Sequence, residues 1–240
     1  LSVKQYKMHP PYGRKNPCMV VSTSRGCPYH CTYCSVNVQY RQRSVEDVVA
    51  ELKWLSSEFN IGEIYFADPT FTFDQKRVKE ICKRLIREKV DLKWTCKTRV
   101  ELVSNDLLML MRAAGCYLIS FGAESAHPNI LSTINKQSTN KDIVQAIKLC
   151  RKNNISSSMY FMVGNEGETK ETLIFTERFL RKYPPDFLVF APVTPFPGSP
   201  LYNKAIKDGI FSLEDIEDVI FSEDSKPWPI YKPKNIPYKK

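Results

Sequence analysis

One short stretch of the chain reads Arg-Gly-Cys-Pro-Tyr-His-Cys-Thr-Tyr-Cys, over residues 25–34. Its three cysteines, Cys27, Cys31 and Cys34, lie four and then three residues apart. Iron–sulfur clusters are held by cysteine thiolates, normally four for a four-iron cluster. Three thiolates in one loop can therefore hold three irons and leave the fourth iron open to a substrate or a cofactor.

The same cysteines are compatible with less specialised sites. Cys31 and Cys34 have the spacing that structural zinc sites and redox dithiols also use. The other five cysteines are scattered singly, and Cys18 could complete a four-thiolate zinc site with the triplet. A disulfide scaffold is not expected, because a chain of 240 residues can bury its own core. The triplet by itself leaves the open cluster and the zinc site as alternatives.

The composition is that of an ordinary globular protein. Hydrophobic residues make up 42% of the 240 residues and charged residues 25%, which fits one domain of α/β-barrel size. No apolar run approaches the roughly 20 residues needed to cross a bilayer, and the first residues lack the apolar segment of a signal peptide. Eight cysteines without such a signal favour a reducing, cytoplasmic compartment. The formal charge of +9 is not collected in one long run, so a solvated surface is expected rather than a nucleic-acid partner.

Short apolar strands alternate with amphipathic helices through most of the sequence. The pattern predicts strands over residues 18–23, 63–67, 92–96, 116–121, 157–163 and 187–191. It predicts helices over residues 44–59, 104–114, 139–152, 168–181 and 200–208, and one more that is capped by Asp74. This alternation indicates a parallel sheet with helices outside. Six units are fewer than the eight of a closed barrel of roughly 250 residues. The expected fold class is therefore α/β, a (β/α)6 partial TIM-like barrel with parallel strands.

The cysteine loop, residues 27–34, follows the first predicted strand. Parallel α/β folds bind their ligands at the carboxyl edge of the sheet, where this loop is expected to lie. In this setting the chain resembles the radical S-adenosylmethionine (SAM) superfamily, whose mark is Cys-x3-Cys-x-aromatic-Cys after the first strand of a (β/α)6 partial barrel. Tyr33 is the aromatic residue here, and the resemblance covers residues 16–209.

Four further stretches resemble one class within this superfamily. They are residues 23–29, 66–71, 120–125 and 195–199. Members of the class usually carry a cobalamin-binding domain before the barrel, and they include methyltransferases and anaerobic magnesium-protoporphyrin ester cyclases. No such domain is present in the sequence as given, so cobalamin is expected only through an upstream domain.

Three parts of the chain are expected on this basis. Residues 1–15 are interpreted as a linker from an upstream domain, residues 16–210 as the radical SAM partial barrel, and residues 211–240 as a segment ending in a proline- and lysine-rich tail. The chain begins with Leu rather than Met, which indicates a piece of a longer protein.

The resemblance implies two cofactors, a [4Fe-4S] cluster on Cys27, Cys31 and Cys34, and SAM. In the superfamily, SAM chelates the open iron through its amino and carboxylate groups. One electron, from a donor such as flavodoxin or ferredoxin, then splits it into methionine and a 5′-deoxyadenosyl radical. The radical takes a hydrogen atom from an unactivated carbon of an organic substrate. The expected outcome in this class is methylation or cyclisation, by a methyltransferase or by an oxidoreductase of the cyclase type.

The resemblance also implies residues that contact the methionine part of SAM. Asp68, at the end of the second strand, is expected near the amino group. Arg99, after the third strand, is expected to face the carboxylate, which a guanidinium fork matches well. The alternatives are a turn residue before Pro69 in the first case and a surface ion pair in the second.

Further residues are expected near the nucleoside. Tyr33 is expected to approach the adenine, or alternatively to pack the loop against the barrel. Glu124, at the end of the fourth strand, is expected to bind the ribose, because two acceptor oxygens suit a diol, and Ser125 is expected to assist it. A surface carboxylate is the alternative for Glu124. Gly164 lies in the segment 163–169, which is expected to shape a loop near the adenine rather than to bind phosphate.

Two other functions stay open from the sequence. RNA methylthiotransferases share the Arg-Gly-Cys-Pro start, but they also need an upstream three-cysteine domain and a downstream RNA-binding domain, and neither appears in this sequence. A non-catalytic zinc-binding module is the alternative from outside the enzymes.

Overall fold

The computed structural model describes residues 5–8, 11–36 and 38–210. The strands, in chain order, are β1 (Cys18–Val21), β2 (Ser24–Arg25), β3 (Arg41–Gln42), β4 (Glu63–Phe66), β5 (Lys93–Thr98), β6 (Cys116–Glu124), β7 (Ser156–Val163) and β8 (Phe187–Pro192). The helices are α1 (Val45–Phe59), α2 (Gln75–Arg87), α3 (Asn105–Ala113), α4 (Pro128–Thr133), α5 (Asn140–Lys152), α6 (Lys170–Lys182) and α7 (Pro200–Lys207). The predicted tail, within residues 211–240, lies outside the described residues.

Six of the strands form one sheet in the order β1-β4-β5-β6-β7-β8. Every neighbouring pair is parallel, and β1 does not pair with β8, so the sheet stays open in the part of the chain that the structure describes. Buried apolar side chains of β4 to β7 pack with those of α1, α2, α3 and α5 in one core. This architecture confirms the predicted parallel α/β fold of six strands.

The helices begin where their capping residues predict. The side chain of Ser44 accepts a hydrogen bond from the backbone N–H of Asp47 at 3.1 Å. Asp74 accepts one from the backbone N–H of Arg77 at 3.0 Å. Each cap satisfies an N–H group that has no partner within its helix. The loops that precede α1 and α2 therefore have fixed end points.

Two kinds of short element do not follow from the sequence pattern. β2 and β3 are two-residue strands that form an antiparallel pair on either side of the cysteine loop, and two residues are too few to display an alternation. α4 spans only six residues between β6 and α5. Both elements hold loops that carry the candidate site.

A buried carboxylate holds the beginning of the chain against the sheet. Glu63, the first residue of β4, is fully buried. Its oxygens accept hydrogen bonds from the backbone N–H groups of Gly13 at 2.8 Å and Lys15 at 3.0 Å, and from the hydroxyl of Tyr117 at 2.6 Å. Residues 13–15, the last part of the predicted linker, therefore pack onto the barrel.

Glu63→Gln is expected to lower the free energy of unfolding by about 1–3 kcal/mol, the cost of leaving a buried donor without its acceptor. The amide keeps one acceptor oxygen but places an NH2 group where an N–H or hydroxyl group now donates. Urea denaturation followed by far-UV circular dichroism measures the change. Glu80→Gln is the control, because Glu80 is exposed on α2 and its replacement should leave the midpoint unchanged. Equal midpoints for the two variants would contradict this function of Glu63.

Candidate functional site

A cavity of about 650 Å³ is lined by side chains from β4 to β8 and from the cysteine loop. Many of the residues singled out in the sequence lie on its wall. These are Cys27, Cys31, Cys34, Tyr33, Arg99 and Glu124. Because they come from loops far apart in the chain, the fold itself brings them together.

Backbone hydrogen bonds hold both halves of the cysteine loop. The N–H of Cys27 donates to the carbonyl of Val38 at 3.3 Å, next to the β2–β3 pair, and the N–H of Thr32 donates to the carbonyl of Ile134 at 3.1 Å. Gly26 enters the loop with φ +77°, a conformation that glycine adopts without steric cost. The backbone conformation at the start of the cysteine loop therefore favours glycine at position 26.

Each of the three sulfur atoms has its own polar partner that can donate a hydrogen bond to it. Thr70 Oγ1 lies 3.5 Å from Cys27 Sγ, Arg99 Nη1 donates to Cys31 Sγ at 3.5 Å, and the backbone N–H of Val36 donates to Cys34 Sγ at 3.4 Å. Hydrogen bonds of this kind stabilise thiolates, which are the form that binds metal. Burial raises the pKa of the Cys34 thiol, so iron must displace its proton on binding.

The same geometry disfavours a single zinc ion. A structural zinc site needs four ligands around one ion. Across residues 5–8, 11–36 and 38–210, no three His, Cys, Asp or Glu side chains converge on one ion position. Cys18 is buried at the start of β1, where its Sγ donates to the carbonyl of Tyr6 at 3.7 Å, at the opposite end of that strand from the cysteine loop. Cys18 therefore cannot join the triplet in a four-thiolate site, and the three remaining cysteines are the number that a four-iron cluster with one open iron would use.

Glu124 is the centre of a second polar group on the cavity wall. It is 7% exposed, and its Oε1 accepts a hydrogen bond from the Tyr33 hydroxyl at 2.7 Å and from Lys136 Nζ at 3.1 Å. Burial and the adjacent carboxylate raise the pKa of Tyr33, so its phenol stays protonated and donates. Oε2 accepts no hydrogen bond from any described residue, which leaves it available to a ligand.

Gly122 makes room for this arrangement. A Cβ atom at this position would lie 2.4 Å from Glu124 Oε1 and 3.1 Å from Lys136 Nζ. A bulge between Gly122 and Glu124 interrupts the pairing of β6 with β7, and bulges commonly redirect side chains next to active sites. Glu124 itself has φ +66°. The motif of residues 120–125 thus encodes a local backbone that carries the carboxylate into the cavity.

The sequence pattern of the radical SAM superfamily matches residues 21–180 of the chain. The chain belongs to the radical SAM superfamily. The cofactors of that superfamily are a [4Fe-4S] cluster and SAM, and the three cysteines that line one cavity fit the first of them.

The chain is also similar to a curated methyltransferase and a curated cyclase. An uncharacterized methyltransferase of Pyrococcus horikoshii is 37% identical over 198 residues, which cover 81% of this chain and 43% of that protein. An anaerobic magnesium-protoporphyrin IX monomethyl ester cyclase of Cereibacter sphaeroides is 34% identical over 222 residues, which cover 90% of this chain and 35% of the cyclase. The chain therefore spans less than half the length of these two relatives.

Solved radical SAM structures have the same fold. The methyltransferase TsrM of Kitasatospora setae, with tryptophan and a SAM analogue bound, superposes with a TM-score of 0.75 at 19% identity, over 90% of this chain and 43% of TsrM. The cobalamin-dependent enzyme OxsB superposes with a TM-score of 0.70 at 18% identity, over 90% of this chain and 39% of OxsB. None of the described helices is both long and apolar enough to cross a membrane.

Three residues expected to contact SAM are absent from this wall of the radical SAM barrel. Asp68 is fully buried, and its carboxylate accepts hydrogen bonds from the N–H of Thr23 at 2.6 Å, the N–H of Ser24 at 3.0 Å and the Thr23 hydroxyl. These donors occupy the carboxylate, which holds the strand that leads into the cysteine loop instead of lining the cavity. Asp68 is thus placed to support the site through the backbone.

Ser125 and Gly164 also differ from the expected placement. The Ser125 hydroxyl accepts a hydrogen bond from the N–H of His127 at 3.1 Å, at the start of α4. The N–H of Gly164, a residue with φ +98°, donates to Glu168 Oε2 at 2.5 Å. Neither residue lines the cavity, because local hydrogen bonds of the loops after β6 and β7 engage them.

Lys136 is the clearest site residue that the sequence did not reveal. It follows α4, a helix that was not predicted, and it reaches back to Glu124. A lone lysine after an unrecognised helix carries no local signal, since only the tertiary fold pairs it with a buried carboxylate.

A cluster of hydroxyl groups forms another part of the cavity wall. The hydroxyl of Tyr12 lies 3.1 Å from Ser120 Oγ and 3.1 Å from the hydroxyl of Tyr160. Lys97, the strand neighbour of Ser120, places its Nζ 5.4 Å from the ring centroid of Tyr65. The cavity therefore extends from the three cysteines to a second polar region, which is lined by Tyr12, Ser120 and Tyr160.

Proposed function

We propose that this chain is the catalytic barrel of a radical SAM enzyme that methylates or cyclises an unactivated carbon of an organic substrate. The observation that carries the proposal is the shared cavity, which is lined both by the three cysteines and by the buried Glu124–Lys136 pair. A protein that only carried electrons would need neither an open cavity at its cysteines nor a second set of ligand-binding groups.

Cys27, Cys31 and Cys34 would hold the [4Fe-4S] cluster. When bound, the cluster would supply the single electron for reductive cleavage of SAM into methionine and a 5′-deoxyadenosyl radical, the species that would take a hydrogen atom from the substrate. The protein binds and orients the reactants and excludes side reactions. Two charged residues of the cavity lining are proposed to contact SAM. Glu124 Oε2 would accept from the ribose hydroxyls, and Arg99, which lines the same cavity, would face the methionine carboxylate.

The region around Tyr12, Ser120 and Tyr160 is proposed to receive the substrate. It lines the same cavity as the cysteines, and its hydroxyl groups can donate or accept hydrogen bonds. Tyr33 is proposed to contact the adenine while its hydroxyl holds Glu124 in position. Asp68 and Ser125 are proposed to act through the backbone of the segments next to the contacting residues. Gly164 belongs to a separate loop that is held by Glu168, and it is not proposed to contact SAM.

Cobalamin is proposed as a further cofactor through a domain outside this sequence. Support comes from the motif resemblance and from OxsB, which is described as cobalamin-dependent. A one-electron donor of the flavodoxin or ferredoxin type is proposed as partner, in a cytoplasmic setting. The formal charge of +9 suits an acidic donor protein, because complementary charge speeds encounter. RNA methylthiolation gains no support beyond the shared start of the cysteine motif.

Anaerobic reconstitution with iron and sulfide tests the proposal. The chain is expected to take up about four irons and, with dithionite and SAM, to release 5′-deoxyadenosine measured by liquid chromatography. Cys31→Ala should lose both properties. Cys82→Ala is the matched control, because Cys82 is a fully buried core thiol of α2 and should retain both. One equivalent of zinc with no iron after anaerobic purification would instead support the zinc module.

A further inference from the structure

Arg99 directly follows β5 and contacts one of the three thiols. Its Nη1 lies 3.5 Å from Cys31 Sγ, and Arg99 is only 4% exposed. The partners of the other two sulfurs are a threonine hydroxyl and a backbone N–H. Among the three, Cys31 is therefore the one whose sulfur accepts a hydrogen bond from a charged group, and charged donors make the stronger hydrogen bonds.

The guanidinium is fixed in place from three sides. Its Nε donates to Glu101 Oε1, its central carbon lies 3.8 Å from the ring centroid of Tyr29, and Nη1 donates to Cys31. A guanidinium keeps its proton at any pH at which proteins are folded. The positive charge therefore persists next to the sulfur, in a place where salt screens it little.

We propose that Arg99 is a positioning residue that sets the reduction potential of the cluster through Cys31, an inference that rests on the proposed cluster. One-electron reduction makes the cluster more negative, and a nearby positive charge stabilises the reduced form more than the oxidised form. Hydrogen bonds to the sulfurs and net charge are recognised determinants of cluster potential. Arg99 makes reduction by a physiological donor easier, whereas Glu101, as its counter-charge, limits the effect.

An EPR-monitored redox titration of the reconstituted protein, without SAM, tests this assignment. Arg99→Gln is expected to lower the equilibrium constant for reduction at least tenfold, which corresponds to about 59 mV for a one-electron couple. Lys97→Gln is the matched control, because it removes the same charge from the same cavity wall two residues earlier and contacts no thiol. Its equilibrium constant should change less than twofold.

Glu101→Gln is expected to shift the reduction potential of the cluster in the opposite direction. Removal of the counter-charge leaves the guanidinium uncompensated, so this variant should be easier to reduce than the unsubstituted protein. A merely structural contact of Arg99 would not move the potential in opposite directions in the two variants. If Arg99→Gln takes up no iron, its reduction potential cannot be measured. The shift in the reduction potential of Glu101→Gln then tests the inference by itself.

Two results overturn the inference while the proposed function stands. One is a normal iron content in Arg99→Gln with a potential that matches Lys97→Gln. The other is an unchanged or lowered potential in Glu101→Gln. Failure of the proposed function looks different, because the unsubstituted protein would then bind no cluster and release no 5′-deoxyadenosine.

Discussion

Gly26→Ala is expected to prevent cluster assembly. A Cβ atom on Gly26 would lie 2.3 Å from the carbonyl oxygen of Val38 and 2.5 Å from that of Gln39. Both contacts involve backbone, which cannot turn aside as a flexible side chain can, so the two sides of the cysteine loop must separate. Cys27 would then move relative to Cys31. The iron content after anaerobic reconstitution should fall close to background, as measured by iron analysis and visible absorbance.

Gly167→Ala separates this collision from the strain of the backbone conformation. Gly167 has the same φ of +77°, but no heavy atom lies within 4 Å of its Cβ position. Both substitutions carry the cost of a left-handed conformation, about 1–2 kcal/mol. Only the change at Gly26 also drives a methyl group into the backbone. If both variants bind equal amounts of iron, the loop tolerates the methyl group and the steric argument is wrong.

The order of strands and helices could be predicted from sequence because each element carries its own periodic signal. Helix starts were equally predictable where a side chain such as Ser44 or Asp74 caps the first turn. The β2–β3 pair could not be predicted, because its two-residue strands exist only through pairing across the cysteine loop. The anchoring of residues 13–15 by Glu63 likewise depends on a contact across about 50 positions of the chain.

The candidate site was predictable to the extent that its residues lie in local motifs. The cysteines, Tyr33 and Glu124 belong to short patterns and line the cavity. Asp68 illustrates the limit, since the sequence placed it at the correct edge of the sheet but could not reveal that backbone N–H groups occupy its carboxylate. The contact of Arg99 with Cys31 spans 68 positions, and its consequence for the cluster emerges only from the fold.

Glu124→Gln is expected to weaken SAM binding to the reconstituted protein about 10- to 100-fold. A hydrogen bond to a charged group contributes about 1.5–3 kcal/mol, and each 1.4 kcal/mol is tenfold in affinity. The amide oxygen can still accept from the Tyr33 hydroxyl, but an NH2 group replaces the acceptor that the ribose would use. The substitution also leaves Lys136, whose side chain is 4% exposed, without its counter-charge. Anaerobic isothermal titration calorimetry with SAM measures the dissociation constant.

Glu168→Gln is the matched control for this effect. Glu168 is also buried, at 1% exposure, and it follows β7 as Glu124 ends β6. Its carboxylate accepts from the N–H groups of Gly164 and Asn165 and does not line the cavity. Glu168→Gln should therefore lower the urea midpoint while the dissociation constant for SAM stays within about twofold, since lost loop contacts affect folding more than a site they do not touch. If SAM binding is weakened equally in both variants, the loss reflects general disorder at this edge of the sheet, and the assignment of ribose binding to the Glu124 carboxylate is wrong.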